Sequence, residues 1–524
     1  MATTTILRSR RSEAQLHALA GVEREIRVID PNGRRKYLQD FSRAFRSYDS
    51  VIDLLELKLM VNAADVVLVA DYHALPAAQR FAATLFEERA HPGDRPVVLG
   101  VETIFSRDQH ILDEWWRREI DEEEFRQRIR FDLDWGYDWE PFYALLVTAR
   151  EHAEAIYGLD CMPREDLRKI GARDRHAAHK ITEIRQRHPN AVIMVLFGES
   201  HLAPGHLPRV LRESLAAERI LTVLQNVDAL YWHAAGEKQE QIQAVQVTDD
   251  VVCAFNSTPL EKYENYRLHL SRWGRSDEEG PDLTPTIYNL IDSLLRFLDI
   301  NRYSSHNGTQ PKFLIDLLPE VYCRNSDARL RRLLSRYEVA AEESEALAHY
   351  VEERGSAYLP QVNVFYVREF QMLYAAEEAA RFLHHACRGL PMRGNGHVKQ
   401  EACDHFYTRM LEYSLGYFGS RVLYPARPAS ADPAAISRAA CEAMAEAVMR
   451  APASELESSA QRLGYAVGSE LYDAYLRGEV TRNVLRHLFL THLNESGRSK
   501  EICLGLVRRL RSSRKKTRPS GAGA

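Results

Sequence analysis

Four short apolar runs, each closing on an acid or a histidine, constrain this chain more than any other feature. DVVLVADYH runs from Asp65 to His73, PVVLGVE from Pro96 to Glu102, AIYGLD from Ala155 to Asp160, and AVIMVLFGESH from Ala191 to His201. Unbroken aliphatic stretches of this length fit strands buried on both faces, the habit of a parallel sheet. After the first run Pro76 suits a helical first turn, and AAQRFAATLFEERA carries helical spacing. In an open α/β sheet, ligands bind just beyond the carboxyl ends of the strands. Parallel alignment therefore gathers Asp71, His73, Glu102, Asp160, Glu199 and His201 at one edge. The plainer account is that acids and histidines end strands as solvated turn residues. Four coincident instances favour a site.

The rest of the chain arranges itself around these runs. Residues 1–50 read as a charged N-terminal arm, and Ser47 to Ala64 as an amphipathic helix entering the first strand. Between the second and third runs lies a helical insertion rich in rings: Trp115, Trp116, Trp135, Tyr137, Trp139, Phe142 and Tyr143. Such an insertion either lids a pocket for a flat or apolar ligand or fills a helical subcore. RILTVLQN and the stretch Gln243 to Ser257 supply further short strands. Residues 274–284, RSDEEGPDLTP, form an acidic, proline-bearing linker. Beyond it the periodicity is helical. The reading is an α/β domain over 51–273, with a mostly parallel sheet flanked by helices, then an all-α domain over 285–507. A basic tail, 508–524, reads as disordered.

Composition narrows the classes. At 524 residues the chain exceeds a single core. A formal net charge of −5 argues against a general nucleic-acid binder. The seven cysteines form no CxxC pair and are odd in number, which suits reduced thiols. No signal-peptide h-region and no membrane-length apolar run is present, so the chain reads as cytoplasmic.

His73, Glu102 and His201 suit two kinds of chemistry. Two imidazoles and a carboxylate can hold a divalent metal ion with positions open to water. A histidine paired with a carboxylate can instead act as general base on water. Asp71 and Glu199 are placed to orient the histidines through the second ring nitrogen, and Arg80 on the first helix to steady an anionic group. In the helical half His384, His385 and Cys387 lie near Glu377 and Glu378, and Glu401 and His405 share one helix face. Ordinary helix-surface pairing accounts for these more simply.

ADYH, the strand ending in VE, WGYDWEPFYALLVTAR, GLD followed by MPRE, and LFGESH together resemble the ChaN-like domain of the Tiki/TraB/erythromycin-esterase superfamily, over about residues 50–230. Members share a GxxH motif on the first strand, a later Glu and a second GxxH. His73, Glu102 and Gly198 to His201 match that pattern, with Ala70 in place of the first Gly and Asp71 in place of the usual acid, Glu. The resemblance implies haem binding and iron uptake, while relatives include metal-dependent proteases and metal-independent esterases. It singles out no haem ligand among Tyr72, Tyr137, Tyr143 and His110. The expectation is a protein that binds haem or a divalent metal ion, with a small-molecule ligand or substrate. The alternatives are a hydrolase using the same residues, and a non-catalytic scaffold.

Overall fold

The computed structural model describes residues 2–30, 36–90, 95–161, 170–236, 242–272, 281–302, 317–323, 327–337, 339, 341–388, 402–430, 437–448, 453–493 and 495–517. The chain divides into two compact units, Glu23–Arg275, and Met1–Val22 together with Ser276–Ala524. The expected arm is helical over Ala2–Ile29 and Lys36–Ala44, and the division falls within the first of these helices.

The unit Glu23–Arg275 holds an eight-stranded sheet. Its strands are β1 (Ser50–Ile52), β2 (Val66–Asp71), β3 (Val97–Phe105), β4 (Ala155–Asp160), β5 (Val192–Gly198), β6 (Ile220–Gln225), β7 (Ala244–Thr248) and β8 (Val251–Ala254). The spatial order is β1-β7-β8-β6-β2-β5-β3-β4. The six strands from β8 to β4 run parallel; β7 is antiparallel to both β8 and β1. The stretch Ser47 to Ala64 is therefore not one helix. Asp53 and Glu56 form a capping box, which starts the helix at Leu54 and leaves Ser50–Ile52 free to pair with β7.

Strand pleat sorts the apolar runs into two cores. Val67 and Val69 join Leu99, Val101, Met194 and Leu196 on one face, with Trp115, Phe125, Trp135 and Phe142 of the insertion. Val66, Leu68 and Ala70 join Val98, Ile193, Val195 and Phe197 on the other, against Ala177, Ala178 and Ile181 of helix Ile170–Arg187. Each buried valine or leucine contributes roughly 1.5–3 kcal/mol, which is why unbroken runs specify central strands. The insertion's rings mostly fill the first core instead of lidding a pocket.

The second unit is largely helical, with Thr284–Phe297, Met372–Arg388, Ala402–Leu423 and Ala453–Leu476 among its helices. A Cβ at Gly464 would meet Tyr413, so Ala402–Leu423 and Ala453–Leu476 pack backbone to backbone there. A three-stranded sheet, β9 (Glu320–Cys323), β10 (Ser356–Leu359) and β11 (Val364–Val367), adds strands the sequence does not signal. Residues 274–280 of the expected linker lie outside the described residues. Helix Arg498–Thr517 carries structure well into the stretch expected to be disordered. Among the described residues no helix is long and apolar enough to cross a membrane.

Candidate functional site

Four neighbouring strands, β2, β5, β3 and β4, bring the ends of the four apolar runs together. Register places Ala70 beside Phe197 and Asp71 beside Gly198, so ADYH and GESH leave the sheet side by side. Between Val101 and Phe105 the β3–β4 pairing shifts register, and Glu102 sits in this irregular stretch. Such irregularities re-aim side chains at sheet edges.

His73 emerges on the face of the aromatic insertion. Its ring centroid lies 5.2 Å from that of Trp135 and 5.3 Å from that of Tyr137. Nδ1 donates to Asp71 Oδ2 at 2.6 Å, and the Gln79 amide donates to the other Asp71 oxygen. This directs Nε2 toward Glu102, whose Oε2 is 3.6 Å away. Asp71, though shorter than the acid expected from the resemblance, reaches its histidine in full.

His201 approaches from the opposite face. Its ring meets Phe197 edge-on at 4.9 Å. Nδ1 donates to Asp174 Oδ1 at 2.5 Å, and Nε2 lies 3.7 Å from Glu102 Oε1. Asp174 also accepts from His206 Nδ1 at 3.1 Å. Two histidines, each held at Nδ1 by an aspartate, thus face the two oxygens of one glutamate.

Glu102 is fixed between them. Arg173 Nη2 donates to Oε1 at 2.6 Å, and the Gly198 N–H donates to Oε2. The same guanidinium binds Asp160, through Nε at 2.9 Å and Nη2 at 2.7 Å. Burial pushes the Glu102 carboxyl up, but the charges of His73, Arg173 and His201 and the Gly198 N–H outweigh it and hold it at about 2. Glu102 is therefore a carboxylate at neutral pH. Burial pushes Asp160 above its ordinary value despite Arg173. A Cβ on Gly198 would lie 2.9 Å from Glu102 Oε2 and 3.4 Å from His73 Nε2, so this position admits no side chain without displacing the site.

A cavity of about 170 Å³ opens here, lined by Asp71, Tyr72, His73, Glu102, Arg173 and His201, with Tyr37, Tyr137, Glu199 and Tyr266 also in its wall. Pockets for drug-sized ligands run to roughly 300–1,000 Å³. This one is small, with a wall shared between charged side chains and tyrosine rings.

Residues 59–174 match the model of the family described as haem-binding uptake, Tiki superfamily, ChaN. That segment is a ChaN-like domain. It contains His73, Glu102, Asp160, Arg173 and Asp174, while Glu199 and His201 lie beyond the matched residues. A solved structure titled "Cofacial heme binding to ChaN of Campylobacter jejuni" is similar at 14% identity, covering 38% of this chain and 91% of that chain, with a TM-score of 0.29. No curated protein matches the chain.

Around the ChaN-like domain, the expected residues fall into two groups. Asp71, His73, Glu102, Asp160, Glu199 and His201 are brought together. Arg80 is exposed on helix Pro76–Arg89 and does not line the cavity. The guanidinium at the site belongs to Arg173. Glu199 does not orient His201; it accepts from Lys262 Nζ at 3.0 Å through both oxygens, and Asp174 takes the orienting role. Among the described residues no group of three or more His, Cys, Asp or Glu side chains is arranged to hold a metal ion. Tyr72 and Tyr137 line the cavity, Tyr143 packs on Trp115 and Trp139, and His110 is exposed. MPRE at 162–165 and Glu401 lie outside the described residues. In the helical unit Glu377 pairs with Arg354 and Arg427, and Glu378 with Arg381. His385 donates to Glu412, which also binds Arg381 and Arg409. These carboxylates balance arginines, as buried charges must.

Arg173, Asp174 and Lys262 are the functional residues that the sequence reading misses. One signal was available. Ala177, Ala178, Ile181 and Ile184 form the buried stripe of helix Ile170–Arg187, and helical spacing extends that stripe onto Arg173 and Asp174.

Proposed function

We propose that the cavity at the ends of β2, β3 and β5 activates water for hydrolysis of a small polar substrate. The observation that carries this reading is the pair of aspartate-held histidines facing one carboxylate. Donation of Nδ1–H to Asp71 or Asp174 leaves Nε2 as the basic nitrogen and raises its basicity. Asp71 holds His73 at 2.6 Å and Asp174 holds His201 at 2.5 Å, both from rigid elements.

In the proposed step a water gives a proton to one Nε2 while its oxygen attacks the substrate's acyl carbon. The imidazolium so formed passes that proton to the departing oxygen or nitrogen, so the products are an acid and an alcohol or amine and the histidine is neutral again. His73 is the better placed base, because its side chain is 13% exposed against 4% for His201. Glu102, ionised and held by Arg173, fixes the separation of the two rings. The proposed step runs on the imidazoles of His73 and His201, while Glu102, the third of the expected metal ligands, is held by Arg173 and the Gly198 N–H.

A second reading rests on the family match. Haem fits a ChaN-like domain, but the cavity is walled by the acids Asp71, Glu102 and Glu199, and His73 is held between Asp71 and Glu102. On this reading haem is held outside the cavity, and no step passes through it.

The test is a panel of small esters and amides assayed with the full chain and with His73→Ala and His201→Ala. The expected loss is at least roughly 100-fold in each variant. Turnover that survives in both variants would remove the hydrolytic reading.

A further inference from the structure

Helix Arg498–Thr517 changes character along its length. In its first half Cys503, Leu504, Leu506, Val507 and Leu510 are buried, while Glu501 and Gly505 are exposed. Polar contacts hold the first turns. The Gly497 N–H donates to Asp404 at 2.7 Å, and Ser499 Oγ meets Thr408 Oγ1 at 2.7 Å. Cys503 Sγ donates to the Tyr407 carbonyl at 3.2 Å. The apolar side of the helix is thus covered within its own unit, chiefly by helix Ala402–Leu423.

The second half is basic. Arg508, Arg509, Arg511, Arg514, Lys515, Lys516 and Arg518 follow one another closely, and no acid comes after Glu501. The first three of them are exposed. The chain's formal net charge is −5, so without these seven cations it would be −12. The acidic balance of the whole chain therefore conceals one strongly basic end. Helical backbone through Thr517 turns about 100° per residue, which sets the cations on several sides. Arg508, Arg511 and Lys515 recur at i, i+3 and i+7, Arg509 and Lys516 share a second side, and Arg514 occupies a third.

This pattern discriminates among polyanions. Helices that lie on a bilayer bury an apolar face in it, and residues 511–524 contain no Val, Leu, Ile, Met or aromatic residue. Single-stranded nucleic acids are gripped by stacking on aromatic side chains, and residues 498–524 have none. Duplex RNA has a major groove too narrow for side chains to read. The major groove of B-form DNA admits an α-helix between two rows of phosphates, which suits cations on several sides of one helix.

We propose that the basic half of helix Arg498–Thr517 docks in the major groove of duplex DNA through phosphate contacts. Such contacts carry no sequence information, so little sequence preference is expected. The acidic balance of the rest of the chain confines the contact to this helix. The proposal is independent of the chemistry at the cavity.

The test titrates the full chain into a short fluorescein-labelled DNA duplex of mixed sequence and reads anisotropy. Binding is expected, and it should weaken at least roughly 100-fold between about 50 and 200 mM salt. The quadruple variant Arg511→Gln, Arg514→Gln, Lys515→Gln and Lys516→Gln should bind at least roughly 10-fold more weakly at the lower salt. The double variant Arg511→Lys and Arg514→Lys keeps the charges and should bind as the wild type does, which separates lost charge from lost folding. Competitors at equal charge concentration are unlabelled duplex DNA, single-stranded DNA, duplex RNA, and vesicles of equimolar phosphatidylcholine and phosphatidylglycerol. Unlabelled duplex DNA should displace the probe best. No binding at the lower salt, a glutamine variant that binds like the wild type, or better displacement by vesicles, RNA or single strands would overturn the proposal.

Discussion

Arg173 donates to Glu102 at 2.6 Å from a helix 71 residues further along the chain, and its guanidinium also spans to Asp160. All three side chains are buried. Removing one partner of such a group leaves charge without compensation, which costs about 3–5 kcal/mol. Arg173→Ala is therefore expected to lower the unfolding free energy by about that amount, measured by urea denaturation. A change below about 1 kcal/mol would mean that Glu102 and Asp160 find other partners.

Acid should loosen the same site. The Glu102 carboxyl is held at about 2, below its unfolded value. Its contribution is fully present above the ordinary glutamate range of about 4.3 and is lost as pH falls toward 2. Burial shifts Asp160 the other way, so that residue contributes with the opposite sign. Comparing urea midpoints of the wild type and Glu102→Gln between pH 5 and pH 2 isolates Glu102. The wild type should show the steeper acid loss, and parallel curves would contradict the assignment.

Gly198 is needed for closeness, not for an unusual backbone angle. Its φ is −51°, open to any residue, but a Cβ would press on Glu102 and His73. Gly198→Ala should fold, with a destabilisation of about 1–3 kcal/mol from overpacking. It should also reduce turnover by at least roughly 10-fold, because small displacements of reacting groups are costly. Retained turnover with lowered stability would assign the glycine to packing alone.

Haem gives a spectroscopic check on where a porphyrin sits. Asp71 holds His73 Nδ1 and Nε2 faces Glu102 at 3.6 Å, so neither ring nitrogen is turned to an iron outside the cavity. Titration of haem into the wild type and His73→Ala should give matching visible spectra. A Soret band that differs between the two would place the iron at His73 and refute this exclusion.

The β2 run Val66–Asp71 shows how much the sequence determined. Its apolar continuity required a strand covered on both faces, and the three similar runs required partners of the same kind. Asp71, His73, Glu102, Asp160 and His201 were legible as a group because parallel strands end at one edge. The match of ADYH and GESH to adjacent positions, Asp71 beside Gly198, follows from the same rule. Arg80 was misplaced because a position one turn into a helix fixes distance along the axis but not the face that meets the sheet edge.

Tertiary structure alone decided the partners. Asp174, not Glu199, holds His201, because helix Ile170–Arg187 crosses the sheet face where His201 emerges. Lys262 comes from a helix 63 residues beyond Glu199 and neutralises it. Periodicity records which face of an element is buried; it carries no record of which distant element covers that face. The apolar sequence thus determined the sheet and its functional edge. The charges that orient the histidines were decided by packing between segments far apart in the chain.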